Sequence, residues 1–365
     1  MTRLAKVDEF MKRLLSVFLI LLLLFTPVLE SKEAKYYQKL QNKEVQCLLC
    51  PRECILKPGE TGYCTNRRNE NGILKSLVYA KVCSANVDPI EKKPLFHFLP
   101  GSTSFSIATA GCNLRCVFCQ NWEISQVPYT EVRNQELSPE QVVQLAVENN
   151  CKSISYTYSE PTAFYEFMFD TSAVARKHGI RNVMVTSGYI NPEPLTELCT
   201  VLDAANVDLK GFSDRVYRQV AAAKLAPFLE SLKILKEKGV WLEVGYLVIP
   251  TLNDSSKEIQ EFSAWVHANL GADVPVHFLR FFPMHKLTNL PPTPVETLER
   301  AYDIAKSVGL NYVYVGNVPG HKAENTYCPN CKNMIIERKG YFIGKIKITK
   351  GRCDYCGYKI AGVWD

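Results

Sequence analysis

The sequence predicts an α/β protein: a partial (β/α)6 TIM-like barrel with a small cysteine-rich module on each side. Short β-branched runs alternate with helical segments from residue 104 to 316, which is typical of repeated βα units around a parallel sheet. Cysteines cluster before and after that region at spacings typical of metal sites. We therefore expect a hydrophobic segment at 1–30, a four-cysteine module and connector at 44–100, a core domain at 101–320 and a zinc-ribbon-like module at 321–365.

The composition is that of an ordinary globular chain. Its 365 residues are 47% hydrophobic, enough to bury a large core. The net charge is only +6 and no long basic run is present, so we expect no nucleic-acid partner. A disulfide framework is an alternative use of the fourteen cysteines, but it suits small loop-rich domains better than CxxC pairs around a large α/β region.

Residues 1–30 contain a basic flank followed by an apolar run from Leu14 to Phe25. This length suits the hydrophobic region of a signal peptide better than a full transmembrane helix. No small-residue cleavage site follows. An uncleaved membrane anchor over residues 14–29, a secretory signal and a translation start at Met11 are all consistent with this segment.

The first cysteine set has the spacing Cys-x2-Cys-x3-Cys-x9-Cys and consists of Cys47, Cys50, Cys54 and Cys64. Four close thiolates suit either tetrahedral zinc or an iron–sulfur cluster, and the spacing leaves both open. Such a closed site is most often structural. The turn-rich stretch from Val87 to His97 is interpreted as a loop or edge strand that packs over the mouth of the barrel.

The core domain is predicted to contain seven strands and six helices. The strands are expected near 104–109, 153–158, 181–186, 202–209, 241–248, 276–282 and 311–315. The helices are expected near 138–150, 161–178, 192–200, 226–238, 254–269 and 294–308. Ser138-Pro139-Glu140-Gln141 marks the first helix start, with an N-cap, a proline in the first turn and a glutamine that reaches back. Ligands of βα barrels bind where the strands end, so strand-end residues are the candidates for function.

Three cysteines follow the first of these strands at the spacing CxxxCxxC: Cys112, Cys116 and Cys119. Four-iron clusters usually take four cysteines, so this loop indicates either a distant fourth ligand or an iron left open for a small molecule. A zinc loop or three buried apolar cysteines are the alternatives. Asn113 and Arg115 argue against both, because they are poor core residues.

Polar side chains close the strands that follow. The strand-end candidates are Glu160 in Tyr-Ser-Glu-Pro-Thr, Thr186 and Ser187 in Thr-Ser-Gly, Asp208 and Lys210 in Asp-Leu-Lys, and His285 in Phe-Phe-Pro-Met-His. Asp208 and Lys210 lie two residues apart on one strand, so both face the same way. His277 and Arg280, on the strand before His285, are further candidates for an inward-pointing side chain.

These motifs resemble those of the radical S-adenosylmethionine (SAM) superfamily, especially its pyruvate formate-lyase activating enzymes. In that family the CxxxCxxC loop holds a 4Fe–4S cluster, and the amino and carboxylate groups of SAM chelate its fourth iron. The resemblance implies that Glu160 receives the amino group, that Thr186 and Ser187 lie near the methionine and ribose parts, that Lys210 beside Asp208 pairs with the carboxylate, and that His285 lies near SAM. The chain departs from the family pattern at Tyr158 and Ser159, which replace two glycines, at Val185, which replaces an aspartate, and at Ser187, which replaces an asparagine.

The last cysteine set consists of Cys328, Cys331, Cys353 and Cys356, in CPNC and CDYC motifs twenty-one residues apart. This spacing predicts a zinc ribbon. Such knuckles most often only fold a small domain, so SAM cleavage is expected to survive their loss.

The whole pattern after residue 44 is similar to the radical SAM member of the AmmeMemoRadiSam gene system, through CxxCPRxC, Glu91 to Pro94, the CxxxCxxC loop and GNVPG before CPNC. The resemblance implies reductive cleavage of SAM to a 5′-deoxyadenosyl radical, an electron donor such as flavodoxin or ferredoxin, and a protein or other macromolecular substrate. It identifies no catalytic residue. Oxygen-labile clusters are usually built in the cytosol, so we expect the catalytic part to be cytoplasmic. The alternative is an iron–sulfur or zinc protein that transfers electrons or binds a partner without SAM turnover.

Overall fold

The N-terminal part of the described chain is built from short antiparallel strands. The structure, a computed structural model, describes residues 31–365, so the predicted hydrophobic segment at 14–29 lies outside it. The strands are β1 Lys32–Glu33, β2 Tyr37–Lys39, β3 Val45–Cys47, β4 Ile55–Leu56, β5 Arg67–Glu70, β6 Ile73–Ser76 and β7 Lys81–Val82. Strands β1 to β6 form two three-stranded sheets, in the orders β1-β6-β5 and β2-β3-β4. No helix within residues 31–365 is long and apolar enough to cross a membrane.

A buried asparagine joins these two small sheets. Asn69 Nδ2 donates to the carbonyl oxygens of Lys43 and Leu56, each at 2.8 Å, and Asn69 Oδ1 accepts from Gly72 N at 2.7 Å. A buried amide left unpaired costs about 1–3 kcal/mol, so these bonds hold the β5–β6 hairpin against β4. The antiparallel strands begin at Lys32, well before the predicted module start at residue 44.

An eight-stranded sheet forms the centre of the molecule. Its strands are β8 Ser84–Pro89, β9 Thr103–Ala108, β11 Ser153–Tyr156, β12 Arg181–Thr186, β13 Ala204–Leu209, β14 Trp241–Val248, β15 Val276–Arg280 and β16 Val313–Gly316, while β10 Gln135–Glu136 pairs with β7. The order is β16-β15-β14-β13-β12-β11-β9-β8, parallel except for β8, which runs antiparallel to β9. All seven predicted strands are present, and the start of the stretch interpreted as a loop or edge strand, Val87 to Pro89, forms the end of β8. Within the described chain the ladder does not join β8 to β16, so the sheet is open.

Eight α-helices connect or flank these strands in the described part of the chain. They are α1 Trp122–Ser125, α2 Pro139–Glu148, α3 Tyr165–Lys177, α4 Pro192–Leu198, α5 Asp214–Ala221, α6 Ala226–Glu237, α7 Ser256–Leu270 and α8 Val295–Val308. The six predicted helices are present, and the capping box at α2 is confirmed, with Ser138 N donating to Gln141 Oε1 at 2.8 Å. Sequence analysis missed α1 and α5, because both are short and α5 is mostly polar.

Residues 94–98 lie across the amino-terminal half of the sheet. Glu243, near the start of β14, accepts hydrogen bonds from the backbone N–H groups of Phe96 and His97, at 3.0 and 2.7 Å. His277 Nε2 lies 2.7 Å from the same carboxylate, so of the two alternatives on β15 His277 is the buried one that turns to this face. The segment therefore covers the half of the sheet that contains the amino-terminal ends of the strands. The carboxyl ends stay free to form a site.

The C-terminal module packs against the free edge of the sheet. Its strands are β17 Thr326–Tyr327, β18 Met334–Lys339, β19 Phe342–Ile346, β20 Ile348–Thr349 and β21 Arg352–Cys353. Its apolar side chains form one cluster with Phe96, with Tyr312, which precedes β16, and with Tyr314 of β16. Buried Arg338 donates to the carbonyl oxygen of Phe96 at 2.7 Å, and Val363 O accepts from Leu99 N at 2.8 Å. The module is thus integrated with the core rather than loosely appended.

Candidate metal and cofactor site

A cavity of about 440 Å³ lies at the carboxyl ends of the parallel strands. Its walls come from the segments that follow β9, β11, β12 and β13, and from side chains of β14 and β15. Eight predicted site residues line it: Cys112, Cys116, Cys119, Glu160, Thr186, Ser187, Asp208 and Lys210. The structure therefore brings residues that are almost a hundred positions apart in sequence into one cavity, as expected for strand ends of a parallel sheet.

The CxxxCxxC loop is held in place by backbone hydrogen bonds to distant segments. Arg115 N and Val117 N donate to the last carbonyl oxygens of α5, at 3.2 and 2.9 Å. Val117 O accepts from Lys286 N at 2.8 Å. These carbonyl groups at a helix end lack intrahelical partners, so the loop satisfies them. The loop is therefore fixed by α5, a helix that the sequence did not reveal.

Gly111 is required by close packing at the start of this loop. Its φ is +89°, and a Cβ at this position would lie 2.4 Å from Asn66 Oδ1 and 2.5 Å from the carbonyl oxygen of Cys64. Only glycine tolerates both the conformation and the contact. The N-terminal module thus presses directly on the turn that leads into Cys112.

Cys112 and Cys116 of the loop are buried, and Cys119 is partly buried. Burial raises the pKa of Cys116 to about 12, although the nearby Lys210 ammonium works in the opposite direction, and burial also raises the pKa of Cys112 well above its usual value. Cys119 Sγ lies 3.1 Å from Ser125 Oγ. Thiols with such values are neutral without a metal, and metal binding must displace their protons.

Glu160 is the centre of a buried hydrogen-bond network. Its Oε1 accepts from Thr162 Oγ1 at 2.9 Å and from Thr186 Oγ1 at 2.5 Å. Its Oε2 accepts from Ser187 N at 2.9 Å and from Ser187 Oγ at 2.7 Å. The family asparagine at position 187 is absent, but the serine makes two bonds to the carboxylate. The Tyr-Ser-Glu-Pro-Thr and Thr-Ser-Gly motifs are therefore joined through one carboxylate.

Asp208 and Lys210 both face the cavity and form an ion pair. Burial acts to lower the pKa of Lys210, but the Asp208 carboxylate and the Cys116 sulfur outweigh it, so the pKa is raised. Asp208 Oδ1 is buried and has no hydrogen-bond partner among the described residues. Gly245 lies beneath it, where a Cβ would approach Oδ1 to 3.2 Å. The site therefore offers a fixed cation and a free acceptor to a bound molecule.

A second charged group at the cavity was missed by sequence analysis. Asp88, in β8, accepts from Lys92 Nζ at 2.9 Å and from Lys93 Nζ at 2.7 Å, and Tyr158 Oη also donates to it. Burial alone would raise the pKa of Asp88, but these three donors hold it well below its usual range. Burial lowers the pKa of Lys93 to about 8, despite Asp88. Glu91 to Pro94 is a recognisable stretch of the sequence, but nothing in it indicated that β8 places these charges beside Tyr158.

Of the nine residues predicted for the core site, His285 is the one that does not line the cavity. Its φ is +55°, and its ring stacks on Trp122 at 5.2 Å between ring centroids. Phe281 and Phe282 of the same motif do line the cavity. The histidine ring thus lies against α1 rather than in the cavity wall, and a position near SAM stays a prediction.

A family model described as the radical SAM superfamily matches residues 106–263, which include most of the residues that line this cavity. The chain belongs to the radical SAM superfamily. It is 51% identical over 332 residues to an uncharacterized protein of Methanocaldococcus jannaschii, a match that covers 90% of this chain and 98% of that protein. Because characterised relatives are enzymes, this chain is a radical SAM enzyme, and its family implies SAM and a 4Fe–4S cluster.

Two such relatives are more distant. The pyruvate formate-lyase 1-activating enzyme of Escherichia coli K12 is 24% identical over 221 residues, which cover 56% of this chain and 89% of that enzyme. The GTP 3′,8-cyclase of Limosilactobacillus fermentum is 23% identical over 262 residues, covering 64% and 75%. The crystal structure of a radical SAM methyltransferase from Sphaerobacter thermophilus aligns with a TM-score of 0.47 and 19% identity, over 60% of this chain and 67% of that one.

The C-terminal cysteines of this radical SAM enzyme converge on one point. The Sγ atoms of Cys328, Cys331, Cys353 and Cys356 all lie within 4.8 Å of one another. Cys328 and Cys356 are 3.7 Å apart, as are Cys331 and Cys353. All fourteen cysteines lie within residues 31–365, and none of them forms a disulfide there. The four sulfurs are thus close enough to share a single ion.

The N-terminal cysteines also come together, around an enclosed cavity. Cys47, Cys50, Cys54 and Cys64 all line it. Burial raises the pKa of Cys50 to about 12 and that of Cys64 to about 11. The Cys50 and Cys64 thiols, like those of Cys112 and Cys116, must therefore release their protons when a metal binds.

Proposed function

We propose that this radical SAM enzyme reductively cleaves SAM at a 4Fe–4S cluster held by Cys112, Cys116 and Cys119, and that the resulting 5′-deoxyadenosyl radical acts on a protein or other macromolecular substrate. One observation carries the proposal: three thiols, two of them buried, share a cavity with the Glu160 network and the Asp208–Lys210 pair. Three cysteines leave one iron of a four-iron cluster without a protein ligand. The open parallel sheet with a site at its strand ends also supports the predicted partial (β/α)6 barrel.

The cavity residues fit the two charged ends of the methionine part of SAM. Glu160 and the free Asp208 Oδ1 offer acceptors to an ammonium group, and Lys210 offers a cation to a carboxylate. Thr186 and Ser187 hold the Glu160 carboxylate in one orientation. When bound, the cluster supplies the single electron that cleaves SAM. The protein's own contribution is to bind and orient SAM and to keep water from the reacting groups.

The rim of the cavity supports a macromolecular substrate. Three aromatic side chains at or near the mouth are well exposed: Trp122 at 37%, Phe282 at 38% and Tyr341 at 50% of their full surface. Large exposed aromatic groups are enriched where proteins bind partners. The relatives named pyruvate formate-lyase activating enzymes are named for a protein target, which also supports this class of substrate. We propose a flavodoxin or ferredoxin as the electron donor.

We also propose that the C-terminal cysteines bind zinc. Zinc–sulfur bonds are near 2.3 Å, so tetrahedral geometry places the sulfurs about 3.8 Å apart. The observed spacing of 3.7 Å in two pairs supports this metal. The predicted zinc-ribbon-like module is therefore proposed as a structural zinc site, with Arg338 and Val363 linking it to the core.

SAM cleavage can be tested directly with reconstituted protein, dithionite and SAM. We expect 5′-deoxyadenosine and methionine, detected by mass spectrometry, from the wild type and from Cys199→Ala, whose thiol lies outside the three cysteine sets. Cys116→Ala should form neither product. If the wild type is bleached by dithionite and reoxidises without releasing 5′-deoxyadenosine, the protein is an electron-transfer or partner-binding protein instead.

A further inference from the structure

We infer that Cys47, Cys50, Cys54 and Cys64 bind a second iron–sulfur cluster rather than a zinc ion, and that this cluster lies directly beside the SAM site. This assignment goes beyond the proposed function and does not depend on SAM turnover. It rests on the spacing of the sulfurs, on the buried donors around them, and on the wall that the two cavities share.

The four cysteines surround a closed space rather than a single point. The cavity between them measures about 20 Å³, more than the roughly 10–15 Å³ that holds one water. The loop is shaped for this purpose by backbone bonds from Cys47 N to Cys54 O, at 2.9 Å, and from Glu53 N to Cys50 O, at 3.1 Å. Glu53 has a φ of +46°, an uncommon conformation for a side chain of this type.

The spacing of the sulfurs distinguishes the N-terminal site from the proposed C-terminal zinc site. Within residues 31–365, the C-terminal set is the one group in which at least three Cys, His, Asp or Glu ligand atoms all lie within 4.8 Å of one another. The N-terminal sulfurs are therefore too far apart to share one tetrahedral ion, which needs about 3.8 Å between sulfurs. The three sulfurs of the CxxxCxxC loop are spread in the same way. A cluster, whose irons are bound separately, fits such a spread set.

Buried Arg67 and partly buried Arg52 supply donors that a zinc ion would leave without a partner. Arg67 is 1% exposed, its Nη1 lies 3.4 Å from Cys47 Sγ, and its Nε has no partner among the described residues. Arg52 also lines the cavity, and its buried Nη2 likewise has no hydrogen-bond partner among the described residues. An iron–sulfur cluster brings sulfide acceptors and is tuned by hydrogen bonds to its sulfurs, whereas a zinc ion adds no acceptor.

The two cavities share a wall. Asn113 lines the N-terminal cavity, and its chain neighbour Cys112 lines the SAM cavity. Adjacent Cα atoms are only about 3.8 Å apart. Arg52 Nε donates to Asn113 O at 3.0 Å, and Cys64 O lies against Gly111. The geometry therefore places the second cluster against the loop that holds the first one.

Metal content tests the assignment without any assay of SAM. Anaerobically reconstituted wild-type protein is desalted and measured for iron, acid-labile sulfide and zinc. We expect about eight iron, eight sulfide and one zinc per chain, corresponding to two four-iron clusters and the C-terminal zinc site. About four iron with two zinc, or about four iron with one zinc, would overturn the assignment.

Variants locate the second cluster. The triple variant Cys112→Ser, Cys116→Ser, Cys119→Ser should keep about half of the iron and an iron–sulfur EPR signal after reduction, while Cys50→Ser with Cys54→Ser should lose the other half. Cys83→Ser, outside all three sets, is the matched control and should keep all of it. Retention of the C-terminal zinc shows that each variant is folded.

A folded triple variant without iron would place no cluster at the N-terminal cysteines. A protein that fails only the proposed function would instead contain both clusters and release no 5′-deoxyadenosine.

Discussion

Both four-cysteine modules offer four thiols, but the spacing of the sulfurs and the groups around them differ. In the C-terminal module the sulfurs lie within 4.8 Å of one another, and Cys356 is exposed. In the N-terminal module the sulfurs are spread around a closed cavity, and buried Arg67 reaches Cys47. The number of cysteines is therefore a poor guide to the metal. Sulfur spacing and the surrounding donors are better guides, because they reflect the size and acceptors of the bound group.

The two modules also differ in how they are attached to the core. The N-terminal module contributes Cys64 and Asn66 directly behind Gly111, at the start of the CxxxCxxC loop. The C-terminal module packs against β16 and residues 94–98, yet Tyr341 at the turn between β18 and β19 lines the cavity at the strand ends. Both modules are therefore integrated with the core, and the N-terminal one adjoins the CxxxCxxC loop.

Loss of a zinc ligand should produce the largest effect. Cys328→Ser should release the zinc and unfold the C-terminal module, because zinc binding in such modules supplies on the order of 10 kcal/mol or more of folding free energy. Zinc analysis and limited proteolysis within residues 326–353 measure this. SAM cleavage should fall as well, contrary to the expectation from sequence, because Tyr341 and Arg338 would lose their positions. Zinc retained at the wild-type level would show that the two modules do not differ as described.

Breaking the buried ion pair behind the N-terminal module should be the next largest effect. Arg67 and Glu166 are both only 1% exposed. Glu166→Gln would leave the guanidinium buried without its counter-charge, so the free energy of unfolding measured in urea should fall by about 3–5 kcal/mol. Glu261→Gln is the control, because its pair with Lys257 is exposed and should contribute less than about 1 kcal/mol. Equal losses for the two variants would contradict a buried charge anchor.

The SAM site itself should respond more moderately to loss of its cation. Lys210→Ala should weaken SAM binding by about ten- to a hundred-fold, because a charge-assisted contact contributes roughly 1.5–3 kcal/mol. The absorbance of the clusters should not change. Lys286→Ala is the control, since Lys286 is exposed and contacts the metal loop only through its backbone. A calorimetric titration in which both variants bind SAM equally would remove Lys210 from the site.

The smallest expected effect is a pH dependence from Asp88. Its folded-state pKa is lowered by Lys93, Tyr158 and Lys92, so its stabilising contribution is present above its ordinary pKa, about 3.9, and is lost as the pH falls below that value. Wild type should therefore be more stable than Asp88→Asn near neutral pH, and the difference in unfolding free energy should shrink as the pH falls from about 6 to about 3. A constant difference over this range would contradict the assigned charge cluster.

The strand ends and the thiols were the most predictable part of the molecule. Seven strands, six helices and the three cysteine sets follow from local pattern and spacing, and eight of the nine predicted core-site residues line one cavity. Parallel βα topology brings strand ends together whatever the details of the loops, so the sequence order of Glu160, Thr186 and Asp208 was enough to predict that they meet.

The parts that were missed depend on long-range contacts. The Asp88 cluster arises because β8 pairs antiparallel with β9, and no local pattern showed where its charges would point. Tyr341 reaches the cavity only because the C-terminal module folds back onto the core. His285 has a left-handed backbone and stacks on Trp122 of α1, a contact that its motif did not indicate. The difference between the two four-cysteine sites was likewise invisible in their spacing along the chain.

The presence of two clusters, one of them open to SAM, is tested by the EPR spectrum of the dithionite-reduced protein before and after addition of SAM. A four-cysteine cluster has no open iron, whereas a three-cysteine cluster does. We expect two iron–sulfur signals, of which the one lost in the Cys112, Cys116, Cys119 triple variant changes on addition of SAM and the other stays the same. Two signals that are both unchanged by SAM would contradict an open iron at the CxxxCxxC loop.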